Sequence, residues 1–116
     1  MRRLPLLLLA LLAPPAMAQS KVHDYPTSGR MEYVLECMQK HDGKYEFLYK
    51  CSCVIDRIAE AMSYEDFVAM STALRDQSLA GERGGAFRDP PTVRAMADKY
   101  KTIQANANQA CHVQQR

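Results

Sequence analysis

Tyr49-Lys50-Cys51-Ser52-Cys53-Val54-Ile55-Asp56 decides how this chain is read. Two of the four cysteines lie there, one residue apart, inside a segment whose apolar residues recur at helical spacing. Phe47, Cys51, Val54, Ile55, Ile58 and Met62 form one stripe, and Leu48 and Ala59 border it. At 100° per residue, Cys53 points about 200° away from Cys51, toward Tyr49, Asp56 and Glu60. The two thiols therefore face opposite sides of one helix and cannot easily bond to each other. Their partners are Cys37 upstream and Cys111 near the C-terminus.

Working outward, the spacing predicts four helices. The first covers about Arg30–His41, with Met31, Val34, Leu35 and Met38 as its inner face and Gly43 in the turn that follows. The second covers about Tyr45–Met62. Ser63, with Asp66 three residues on, marks the N-terminus of a third helix over about Tyr64–Leu79, whose inner face is Phe67, Met70 and Leu74. Asp89-Pro90-Pro91 opens a fourth over about Pro91–Val113, with Val93, Met96, Tyr100, Ile103, Ala107 and Ala110 along its seam. No alternating segment of strand length is found, so the expected fold is all-α: a small four-helix domain stapled by two disulfides. In an antiparallel hairpin centred on Gly43, Cys37 and Cys51 lie at similar heights. This favours Cys37–Cys51 with Cys53–Cys111, while the crossed pairing, Cys37–Cys53 with Cys51–Cys111, stays open.

The ends of the chain carry other signals. Arg2-Arg3, an apolar run from Leu4 to Leu12 and Ala16-Met17-Ala18 read as a secretory signal peptide over residues 1–18, cleaved before Gln19. The apolar run is shorter than the roughly 20 residues a membrane span needs. Export to an oxidising compartment, a bacterial periplasm or the exterior, suits four cysteines. Residues 19–29 are polar, contain Pro26, and read as a flexible or loosely docked N-terminal arm before a helical domain over 30–116. Cleavage removes Arg2 and Arg3, so the formal net charge of +2 falls to zero. That balance gives no electrostatic basis for binding nucleic acid or an anionic membrane.

Few residues carry recognisable chemistry. Cys-Ser-Cys is not the Cys-x-x-Cys of thioredoxin-like enzymes, and a structural disulfide role fits the compartment better. Met31, Met38, Met62, Met70 and Met96 have the softness to bind Cu(I), which keeps a copper or small-ligand carrier as an alternative, but they fall at core spacing. His23, His41 and His112 show no ligand spacing, so no metal site and no cofactor are expected. Asp56 and Glu60 lie one turn apart on a polar helix face, and no nucleophile with a base and an orienting group appears. The sequence thus reads as that of a non-enzymatic protein. Its best functional candidate is the segment Gly81–Asp89, read as a loop. There Arg83 and Arg88 can clamp an anion, Gly84 and Gly85 free backbone N–H groups, and Phe87 can contact a partner.

Glu36-Cys37-Met38, then Tyr49-Lys50-Cys51-Ser52-Cys53 with Ile55-Asp56, then Gly81-Glu82-Arg83-Gly84-Gly85 with Phe87-Arg88-Asp89, then Cys111, resemble a group of small exported bacterial proteins. That group is associated with gene neighbourhoods of periplasmic pyrroloquinoline-quinone-dependent alcohol dehydrogenases and their cytochromes. The resemblance spans about residues 30–112. It implies an accessory or partner-binding role in periplasmic oxidation and brings no catalytic residues with it. Chaperoning of exported proteins under stress is a further reading that the composition allows.

Overall fold

The computed structural model describes residues 24–114; the expected signal peptide and residues 19–23 of the arm lie outside the described residues. Five helices follow one another: α1 (Thr27–Gln39), α2 (Glu46–Ala61), α3 (Tyr64–Asp76), α4 (Gly81–Arg88) and α5 (Pro91–Ala110). There is no strand among the described residues.

The core is built on α2. Cys51, Val54, Ile55 and Ile58 are its most deeply buried side chains. They are the stripe expected from the 3.6-residue period. Phe67 and Met70 of α3, Tyr100 and Ala107 of α5, and Val34 of α1 close around it. The α3 N-terminus is capped twice: Asp66 N–H donates to Ser63 Oγ (3.1 Å), and Tyr64 N–H donates to Asp24 Oδ2 (2.9 Å). α5 ends in a Schellman motif. His112 takes a positive φ of 57°, and Val113 N–H reaches back to the Asn108 carbonyl at 2.9 Å. The buried Val113 supplies the accompanying apolar contact.

The four cysteines come together as two pairs at disulfide distance. Cys37 of α1 meets Cys51 of α2 with a Cα–Cα distance of 5.9 Å. Cys53 of α2 meets Cys111 at the end of α5 with 5.8 Å. Both spacings suit a disulfide. The second helix is thus tied on one side to the first and on the other to the last.

Two expectations are corrected and one is narrowed. Gly81–Asp89 is not a loop, because residues 81–88 form the helix α4. Three glycines argue against a helix on propensity, but tertiary contacts override it. Arg88 Nη1 donates to the Leu79 carbonyl (2.8 Å), and Gln77 Nε2 donates to the Arg88 carbonyl (2.7 Å), fastening the segment to the end of α3. The arm is docked on the core over its described part. Tyr25 is only 6% exposed, its hydroxyl donates to the Met62 carbonyl (3.2 Å), and its ring packs on Tyr64 and Phe67. Helix α1 accordingly begins at Thr27 rather than Arg30. Finally, Met31 and Leu35 are exposed. The inner face of α1 is Tyr33, Val34, Cys37 and Met38, rotated from the expected stripe and containing less apolar residue types.

Candidate functional site

α4 separates the five residues expected to form a contact surface into two groups. Gly84 is buried, and a Cβ there would stand 3.0 Å from Leu79 Cβ, so glycine lets α4 lie against the preceding turn. A Cβ at Gly85 would meet Asp89 Oδ2 at 2.9 Å. Arg88 holds Asp89 through two hydrogen bonds of 2.6 and 3.1 Å. Those bonds draw the Asp89 carboxyl below its ordinary pKa and push the Arg88 guanidinium further up. Gly84, Gly85 and Arg88 therefore build the helix. Arg83 and Phe87 are different. They lie one turn apart, both exposed, with 61% of Phe87 open to solvent. Of the two arginines expected to clamp an anion, Arg88 is engaged by Asp89 and the Leu79 carbonyl.

A second exposed apolar region lies on the α1–α2 hairpin. Met31 and Leu35 are one turn apart on α1. Tyr45 and Tyr49 lie at the start of α2 with their rings 5.8 Å apart, edge to face.

A third feature went unread in the sequence. α1 packs closely on α2 but brings its backbone near neither α3 nor α5. Between these three helices opens a groove of about 990 Å³. Glu32, Glu36 and Lys40 form its α1 wall, each one turn from the next; Val68, Ser71, Thr72 and Arg75 line α3; Lys101, Gln104, Ala105 and Asn108 line α5. Side chains alone cross the gap. Arg75 Nη2 donates to both oxygens of Glu36 at 3.1 and 3.2 Å, and Gln104 Nε2 donates to Tyr33 Oη at 3.2 Å. Tyr33, Phe67 and Tyr100 lie at its base. Burial raises the pKa of both Tyr33 and Tyr100, so both phenols stay protonated at biological pH. A clue was present in the sequence: Asn108, a polar residue, sits beside the apolar seam of the last helix and is buried.

The remaining candidates have ordinary surroundings. Asp56 pairs with Arg30 across the hairpin, and Glu60 pairs with Arg57. Ser52 Oγ donates to the Leu48 carbonyl (2.6 Å), a bond within its own helix. His41 is buried and stacks on Phe47 at 4.0 Å, while His23 lies outside the described residues. Met62 and Met70 belong to the core, whereas Met31 is exposed. Among the described residues, no group of three or more His, Cys, Asp or Glu side chains is placed to hold a metal ion, and no helix is long and apolar enough to cross a membrane.

No family model, curated protein or solved structure matches this chain.

Proposed function

We propose that this chain is an exported, non-enzymatic accessory protein that binds a protein partner through the Arg83–Phe87 face of α4. The observation that carries this reading is Phe87. An aromatic ring is left 61% exposed on a helix whose own ends are fastened, beside an arginine one turn away. Rigid aromatic and arginine side chains are the residue types that most often dominate a protein interface. The partner fitted to this face offers an apolar pocket edged by a carboxylate.

The compartment belongs to the same proposal. A signal peptide over residues 1–18 and oxidation of Cys37 with Cys51 and of Cys53 with Cys111 support a working form in a periplasm or outside the cell. The resemblance to exported proteins encoded beside quinoprotein dehydrogenases makes a component of such an oxidation system the first partner to test.

The test is affinity capture from the periplasm with the tagged full chain, alongside Phe87→Ala, Arg83→Ala and Tyr49→Ala. The expected result is one specific partner that Phe87→Ala and Arg83→Ala lose while Tyr49→Ala keeps it, with circular dichroism unchanged in all three. Equal capture by wild type and Phe87→Ala contradicts the proposal. Loss on Tyr49→Ala alone moves the surface to the hairpin.

A further inference from the structure

The groove between α1, α3 and α5 is lined by two largely buried residues, Tyr100 and Asn108, whose polar ends make no hydrogen bond within the described protein. Tyr100 is 3% exposed and Asn108 is 8% exposed, and both line the groove. Among the described residues, neither side chain has a hydrogen-bond partner in the protein, although no side-chain nitrogen or oxygen is fully shut off from the surface. Tyr100 lines this groove, while Asn108 borders both it and the shallow depression beside His112. These polar ends are reached by solvent rather than sealed in, so they remain free to bond a ligand.

Charge and shape narrow the occupant. The charged residues lining the groove are Glu32, Glu36, Lys40, Arg75 and Lys101, three basic against two acidic. Arg75 engages Glu36 through Nη2 only, so its Nε and Nη1 hydrogens are available to a second anion. The Glu36–Arg75 pair is itself exposed, and exposed pairs of this kind contribute less than about 1 kcal/mol, so a ligand anion can rearrange it. The protonated Tyr100 hydroxyl is a donor for an oxygen acceptor. Tyr33, Phe67 and Tyr100 supply an aromatic base. A volume of about 990 Å³ lies at the upper end of the roughly 300–1,000 Å³ typical of small-ligand sites.

We infer that this groove binds a small monocarboxylate amphiphile, with the carboxylate on the Tyr100 hydroxyl and Arg75 and the apolar body against Tyr33 and Phe67. The site is separate from the α4 face and stands or falls independently of any partner bound there. The same chemistry is met by a medium-chain fatty acid and by a flat aromatic acid.

Calorimetric titration of the oxidised full chain distinguishes them, with decanoate and 2-naphthoate as probes and 1-decanol and 2-naphthol as controls lacking the carboxylate. Saturable one-to-one binding of at least one acid, and of neither alcohol, is expected. Tyr100→Phe should weaken it about tenfold, the loss of one charge-assisted hydrogen bond, with an unchanged melting temperature. Ala105→Trp, which fills the groove from an exposed position on its α5 wall, should abolish it. If Tyr100→Phe fails to fold, Arg75→Gln carries the same tenfold expectation from an exposed site. Failure of both acids to bind overturns the inference. So does equal binding of acid and alcohol, or wild-type affinity in Ala105→Trp.

Discussion

Helices α1 and α5 flank the same central helix, are each joined to it by a cysteine pair, and differ in how they are held. α5 packs closely along both α2 and α3 and buries Ala97, Tyr100, Ala107 and Asn108. α1 packs closely on α2 alone and buries only Gly29 and Val34. Its two ends are fixed nevertheless. At the N-terminal end, Tyr25 fills a core position and Gly29 lies so close to Tyr64 that a Cβ there would stand 2.8 Å from the tyrosine hydroxyl. Toward the C-terminal end stands Cys37 beside Cys51. A helix clamped at its ends need not bury its length. That is how a groove and an exposed apolar face can coexist in a domain with so small a core.

The comparison can be broken most strongly at the α2–α5 tie. Replacing Cys53 and Cys111 by alanine together should lower the unfolding free energy by on the order of 4 kcal/mol, since the loop they close is 58 residues long. Urea denaturation of the oxidised proteins measures this, and a loss below about 1 kcal/mol would mean that packing with α3 alone secures α5. Next comes the plug of α1. Tyr25→Ala should cost about 3 kcal/mol, because it empties a core site and leaves the Met62 carbonyl without its donor. Tyr25→Phe keeps the ring and should cost only about 1 kcal/mol. A near-equal cost for the two variants would assign the plug to its hydrogen bond rather than its packing.

How much of this was legible follows the same contrast. The deeply buried stripe of α2, the Ser63 cap and most of the α5 seam were readable, because side chains covered on one face declare it by period. α1 was misread by a rotation. Its covered face holds Tyr33, Cys37 and Met38 with only Val34 as an unambiguous core residue, while Met31 and Leu35 remain outside. α4 was hidden because its glycines mimic a loop, and the contacts that hold it come from Gln77 and Leu79 in the preceding turn. The groove was invisible for a geometric reason. It arises from the stand-off between helices, which no local pattern encodes.

Smaller effects sharpen the picture. Glu36→Gln should change stability by less than about 1 kcal/mol, because the pair with Arg75 is exposed and only spans the groove. A larger loss in thermal denaturation would make that bridge a third anchor of α1. The smallest expected effect is at α4. The Asp89 carboxyl is held below its ordinary value of 3.8 by Arg88, so its contribution is fully present above that value and disappears as pH falls through the lower, folded pKa. Amide chemical shifts of residues 81–89 should move in that acid range in wild type and not in Asp89→Asn, and identical titrations would remove Asp89 from the account of α4.

Native-state hydrogen exchange tests the clamped-helix account most directly, comparing the oxidised protein with a Cys37→Ala, Cys51→Ala double variant. If α1 is held chiefly at its ends, amides of Val34–Gln39 should lose protection by at least two orders of magnitude while those of α3 and α5 fall only by the global change in stability. A uniform fall across all helices, or undiminished protection of α1, would contradict it.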